Sequence, residues 1–156
     1  MHIDPTAPPK AFAARSVPFA MHKAVEAELD RLTSEGILEP VDPMVTPIEW
    51  ASPIVIAMKT NGAVRICGDF KVTINLYIIS DNYPLPRFEE IAAKLSNCRY
   101  FSVIDLKDAY LQLPVAEASQ KYFVIATHKG YFRYTRLPFG VNFAPGLFQA
   151  TMDKIL

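Results

Sequence analysis

Tyr100-Phe101-Ser102-Val103-Ile104-Asp105-Leu106-Lys107-Asp108-Ala109-Tyr110 is the stretch on which the reading of this chain turns. Residues 99–104 are apolar and rich in aromatic and β-branched side chains, which predicts a buried strand. That strand delivers the carboxylate of Asp105 at its end, where the backbone turns. An oxygen donor held there suits a hard divalent cation such as Mg²⁺, which keeps open positions for substrate phosphates. On spacing alone, Asp105 is better explained as a cap on the turn that starts at Leu106, with Asp108 solvated beside it. One carboxylate is also too few for two-metal phosphoryl transfer, which draws acidic groups from more than one element.

The whole chain has 156 residues, 51% hydrophobic and 21% charged, so it is long and apolar enough for one domain with a real core and is not disordered. Sixteen basic residues cancel sixteen acidic ones, so a polyanionic partner must be held by a local patch. Cys67 and Cys98 are too few for a disulfide scaffold and too far apart for a CxxC pair; two small buried thiols in a reducing compartment are expected. No apolar run is long enough to span a bilayer, and the first ten residues lack a signal-peptide core, so an intracellular protein with no membrane partner is expected.

Upstream of the decisive stretch, eight of the thirteen prolines precede residue 54, making the first third mostly extended chain. Within it, residues 19–35 carry Met21, Val25, Leu29 and Leu32 on one face, an amphipathic helix stopped at Gly36. Residues 53–58 and 63–70 flank Asn61-Gly62 as a hairpin, with Lys59 and Arg65 near its tip. Residues 87–95 space Phe88, Ile91, Ala92 and Leu95 as a short helix. Downstream, residues 121–127 and 131–136 form a second hairpin around His128-Lys129-Gly130. After the turn Leu137-Pro138-Phe139-Gly140, Pro145 opens a final helix over 146–156. The sum is an α+β chain with two hairpins, one central strand and three helices.

Lys121, Lys129, Arg133 and Arg136 carry no acid among them and alternate with Tyr122, Phe123, Tyr131, Phe132 and Tyr134. Cations among rings suit a nucleic-acid track, and a half-buried hairpin with a solvated face suits the same residues. His2, His22 and His128 are scattered without zinc-ligand spacing, and no Ser or Cys sits in a nucleophile setting.

Four motifs in order change the reading. They are Val64-Arg65-Ile66-Cys67-Gly68-Asp69-Phe70-Lys71, Asp81-Asn82-Tyr83-Pro84-Leu85-Pro86-Arg87, Tyr100-Phe101-Ser102-Val103-Ile104-Asp105-Leu106, and Leu137-Pro138-Phe139-Gly140 with Ala144-Pro145 through Phe148-Gln149. Together, over residues 36–156, they resemble the reverse transcriptase of gypsy-like long-terminal-repeat retrotransposons. The resemblance implies a right-hand polymerase, fingers plus partial palm, with an antiparallel sheet and helices. It divides the chain into an N-terminal extension (1–35), a fingers-like region (36–98, hairpin 53–70) and a partial palm (99–156).

By the same resemblance, Asp105 matches the first catalytic aspartate and, with the carbonyl of Leu106, a ligand of two Mg²⁺ ions. Lys59 and Arg65 match fingers cations that reach the incoming triphosphate. Tyr110 matches the steric gate against a ribose 2′-hydroxyl, with the backbone of Asp108 and Ala109 beside the triphosphate. Phe139 and Gly140 line the nucleotide pocket, while Lys71, Asn75, Pro145 and Gln149 match template and primer contacts. The implied partners are an RNA or DNA template-primer, deoxynucleoside triphosphates and the rest of a Pol polyprotein.

Two departures accompany the resemblance. The family's Asp-Tyr-Arg-x-Leu-Asn is one residue longer here, Asp69-Phe70-Lys71-Val72-Thr73-Ile74-Asn75. The Tyr-x-Asp-Asp hairpin that supplies the other carboxylates is expected beyond Leu156, so the fold is expected to be truncated before it and this chain to be inactive alone. The rival expectations are a nucleic-acid-binding remnant without catalysis and a relic that does not fold stably.

Overall fold

The stripe at Met21, Val25, Leu29 and Leu32 folds as the periodicity predicts. In the computed structural model, which describes residues 1–79 and 82–156, a 3-10 turn at Phe19–Met21 leads into helix α1, His22–Ser34. Val25, Leu29 and Leu32 are buried, and Gly36 ends the helix. On its outer face Arg31 forks between Glu28 (2.7 Å) and Glu35 (3.1 Å), neighbours at i,i+3 and i,i+4 spacing.

The strands are β1 (His2–Ile3), β2 (Leu38–Val41), β3 (Ser52–Met58), β4 (Val64–Gly68), β5 (Ile78–Ile79), β6 (Val124–Thr127) and β7 (Gly130–Tyr134). β1 pairs with β5, and the other five form one sheet in the order β2-β7-β6-β3-β4. β2 tolerates Pro40 because it is an edge strand, where a missing N–H costs no ladder bond. The sheet is antiparallel except where β3 meets β6, a short parallel pairing of Ser52 with Ile125 and Pro53 with Ala126. It therefore takes strands from both sides of residue 98.

Both expected hairpins form. In β3–β4 the Gly62 N–H bonds the Lys59 carbonyl and the Lys59 N–H bonds the Ala63 carbonyl, so Asn61-Gly62 sits in a loop longer than two residues, with Gly62 at φ +81°. In β6–β7, Thr127 pairs with Gly130 across His128-Lys129. One face of the sheet packs on α1 around Phe70, Phe123 and Tyr134, whose rings meet edge-on at 5.7 and 6.5 Å. The buried hydroxyls of Ser52 and Thr73 share a 2.5 Å hydrogen bond that ties the start of β3 to the 3-10 turns after β4.

Helix α2 (Phe88–Leu95) forms where expected, followed by a single turn α3 (Glu117–Gln120) and the final helix α4 (Ala144–Ile155). α4 starts two residues before the expected 146, which places Pro145 in its first turn.

The main correction concerns residues 99–104, expected as a buried strand. They are irregular and solvent-facing, with Tyr100 and Val103 each 93% exposed. An apolar run becomes a strand only when a neighbouring edge satisfies its N–H and C=O groups, and among the described residues no strand lies beside it. The centre of the sheet is β6 instead. The same vacancy leaves Phe88, Ile91 and Leu95 of α2 exposed. Cys98 is likewise exposed rather than buried, and Cys67 is half-buried, its thiol pushed up by burial and held back in part by Arg65. Asp81, which opens the second motif, lies outside the described residues. Among the described residues, no helix is long and apolar enough to cross a membrane.

Candidate active site

The turn Leu137-Pro138-Phe139-Gly140 is clamped against the end of β4. Gly140 has φ +94°, and a Cβ there would stand 2.7 Å from the Gly68 carbonyl oxygen. Asn75 completes the clamp: its amide donates to the Gly140 carbonyl (2.7 Å), and its oxygen accepts from the Asn142 N–H (3.1 Å). Two penalties converge on a side chain at residue 140, left-handed backbone and overlap with a carbonyl that cannot move without disturbing β4. Gly140→Ala is therefore expected to lower the unfolding free energy by about 2–3 kcal/mol, read as a reduced urea midpoint at unchanged slope.

With the turn fixed, Phe139 presents its ring between two other expected site residues. The Arg65 guanidinium lies over it at 5.3 Å from the centroid, and the Tyr110 ring tilts against it, also at 5.3 Å. Phe148 of α4 backs Tyr110 edge-on at 5.6 Å. Arg65, Tyr110 and Phe139, all expected site residues, thus form one contiguous cluster, drawn from β4, the 3-10 turn at Ala109–Gln112 and the Leu137–Gly140 turn. Phe148 was not singled out from the sequence as a site residue; the available signal was an aromatic three residues after Pro145 on the same helix.

Just before Tyr110, Asp108 has φ +47°, ψ +48°, and among the described residues it is the one non-glycine with positive φ. It opens the 3-10 turn Ala109–Gln112, and its carboxylate approaches Arg31 of α1 at 4.0 Å. Aspartate tolerates the left-handed region better than most residues, yet such conformations still cost free energy and persist only where surrounding structure enforces them.

Lys71, Asn75 and Gly140 lie together along a groove of about 740 Å³, with Val55, Cys67 and Gly68 as further walls. The extra residue in 69–75 is taken up by consecutive 3-10 turns, Phe70–Val72 and Ile74–Leu76, which leave Lys71 on the groove and turn Asn75 back to the clamp. On α4, Pro145 is exposed, and the Gln149 amide donates to Asp153 at 2.8 Å. Asp153 also accepts from the Tyr83 hydroxyl at 2.6 Å; these two donors hold its carboxyl below the usual range, and the hydrogen bond to that carboxylate pushes the Tyr83 phenol up.

Asp105 stands apart from these contacts. It is exposed, and among the described residues it makes no hydrogen bond or ion pair. No cluster of three His, Cys or carboxylate ligands among them includes it. Leu106, its neighbour, is half-buried. The donor type is right for a hard cation, but the described residues bring one carboxylate where a two-ion site needs more. Lys59 lies at the hairpin tip with no contact to the Arg65 cluster among the described residues.

The basic stripe is more occupied than composition indicated. Arg133 is paired with Glu39 across β2–β7, Lys129 stands 4.0 Å from Glu26, and Arg136 donates to the Gln112 carbonyl at 3.2 Å. Lys121 lies over its neighbour Tyr122 at 5.2 Å. The histidines also depart from expectation: His22 and His128 are not scattered but stack at 4.5 Å.

The backbone arrangement has counterparts among solved structures. A prototype foamy virus protease-reverse transcriptase superposes with a TM-score of 0.81 over 99% of this chain and 20% of that one, at 20% identity. A foamy viral protease-reverse transcriptase in complex with double-stranded DNA gives 0.74 over 98% of this chain and 25% of that one, at 22% identity. The fold is thus that of a reverse transcriptase polymerase region. The profile of the family described as reverse transcriptase (RNA-dependent DNA polymerase) matches residues 57–156, and the chain belongs to that family.

Relatives agree. An uncharacterized Caenorhabditis elegans protein is 44% identical over 145 residues, 92% of this chain and 11% of that protein. The retrovirus-related Pol polyprotein from transposon opus of Drosophila melanogaster is 34% identical over 146 residues, 92% of this chain and 14% of that protein. The chain therefore spans a small part of the length of these relatives.

Proposed function

We propose that this chain is the fingers and first palm portion (36–98 and 99–156, after the 1–35 extension) of an RNA-directed DNA polymerase in a retroelement Pol polyprotein. In the complete enzyme it adds deoxynucleotides to a primer 3′ end. The observation that carries the reading is the convergence of Arg65, Tyr110 and Phe139 in one contact cluster, from segments far apart in sequence.

Each group in that cluster has a physical part in nucleotidyl transfer. Arg65, with Lys59 further out on the same hairpin, supplies positive charge toward a triphosphate. Such transfer rests on positioning and on neutralising charge that builds up on the phosphoryl oxygens. Tyr110, wedged between Phe139 and Phe148, is a rigid wall rather than a free side chain, as exclusion of a 2′-hydroxyl requires. The left-handed Asp108 opens the 3-10 turn that carries Ala109 and Tyr110; strain of this kind clusters at functional sites. Lys71 and Asn75, on the groove, and Pro145 and Gln149, on α4, are assigned to the template-primer. Asp105 and the Leu106 carbonyl are assigned to Mg²⁺, which in this chemistry neutralises the reacting oxygens.

The test is primer extension by the complete polymerase with deoxy- and ribonucleotides compared. Tyr110→Val is expected to raise ribonucleotide over deoxynucleotide incorporation by about tenfold or more while deoxynucleotide extension persists. An unchanged ratio removes the gate assignment, and absence of template-directed extension by the unsubstituted enzyme removes the proposed activity.

A further inference from the structure

Flanking the buried stripe of α1, His22 and Glu26 stand one helical turn apart and meet His128 from the β6–β7 turn. One ligand atom from each of the three lies within 4.8 Å of the other two. The His22 and His128 rings stack at 4.5 Å and 23°, and His128 Nε2 is 3.1 Å from a Glu26 carboxylate oxygen. We propose that His22, Glu26 and His128 form a Zn²⁺ site that fastens α1 to the β6–β7 hairpin. Neither Asp105 nor the Arg65 cluster takes part, so the proposal stands independently of the polymerase assignment.

Three observations support it. The donor set, two imidazoles and one carboxylate, suits Zn²⁺ rather than Mg²⁺, and three protein ligands leave a fourth position for water. Donor atoms about 2.1 Å from a tetrahedral ion lie about 3.4 Å from one another, within a few tenths of an ångström of the observed 3.1 Å His128–Glu26 separation. His22 Nε2 lies 2.8 Å from the Val17 carbonyl oxygen, the backbone partner that fixes a metal-binding imidazole with its other nitrogen free to ligate. Lys129 Nζ, 4.0 Å from the same Glu26 oxygen, is the one competing cation at the cluster among the described residues, and its side chain is exposed enough to turn away.

The experiment uses the 156-residue chain without an affinity tag and with its thiols alkylated, titrated with Co²⁺ as a visible reporter and then with Zn²⁺. One equivalent of Co²⁺ is expected to give d–d absorption, and Zn²⁺ to abolish it. Zn²⁺ at a hundredfold excess over its Kd is expected to raise Tm by about 5 °C or more. His128→Asn and Glu26→Gln are each expected to weaken binding about tenfold or more, whereas His2→Asn leaves it unchanged. Should those variants not fold, the unsubstituted chain decides: one equivalent of Zn²⁺ is expected to shift the ring proton resonances of two histidines and spare the third. No saturable binding, equal affinity in His128→Asn and His2→Asn, or a shift of none or all three histidines would overturn the site and leave an ordinary Glu26–His128 pair.

Discussion

Asp105→Asn, introduced into the complete polymerase, is expected to reduce primer extension on the order of 10³-fold, with template-primer affinity kept. The substitution preserves size and removes one negative charge at a side chain that is exposed and unpaired among the described residues. No fold contact is lost, so thermal stability should stay within about 0.5 kcal/mol of the parent. Activity should respond in the opposite manner. A carboxylate that holds a catalytic cation contributes several kcal/mol to the stabilisation of transition-state charge, and ~4 kcal/mol corresponds to ~10³ in rate. The mechanism places the loss in kcat rather than in KM for the template-primer. Extension within tenfold of the parent would return Asp105 to the turn-capping role that its spacing alone favoured.

Phe70→Ala is expected to lower the unfolding free energy by about 3–5 kcal/mol, a large share of the roughly 5–15 kcal/mol available to a domain of this size. Phe70 is fully buried, and its ring lies so close to the β4 backbone that a Cβ on Gly68 would stand 2.5 Å from it. It meets Phe123 and Tyr134 edge-on and lies under the clamped Gly140 turn, so its removal opens a cavity bordered by the sheet and by the site. Phe70→Leu should recover much of the loss because it fills part of that volume. The check is urea unfolding followed by circular dichroism; a change below about 1 kcal/mol would mean that the sheet does not depend on this wedge.

Much of the fold was legible because the features involved are local. The 3.6-residue recurrence of Met21, Val25, Leu29 and Leu32 predicts α1, and Asn61-Gly62 between apolar runs predicts β3–β4. Of the candidate site, the resemblance grouped Lys59, Arg65, Asp108, Ala109, Tyr110, Phe139 and Gly140; the structure brings Arg65, Tyr110 and Phe139 into contact and leaves Lys59 out at the hairpin tip. The motifs did not show that Asn75 turns inward to hold Gly140, since that depends on the two 3-10 turns absorbing an extra residue. The one strong local signal that failed is residues 99–104. Their composition favours a strand, but a strand also requires a partner edge, which composition does not report.

The His22–Glu26–His128 cluster marks the same boundary. The spacing of His22 and Glu26 lies in the sequence, whereas the approach of His128, 102 residues after Glu26, depends on how the β6–β7 turn is carried past α1. By itself, then, the sequence determined the main helices, the hairpins and the family, because periodicity, turn chemistry and motif order are properties of neighbouring residues. Only the tertiary structure decided which apolar segments find partners, which cations of the basic stripe are already paired, and which distant side chains share a site. Those outcomes follow from competition among long-range contacts for a limited number of sheet edges and buried surfaces.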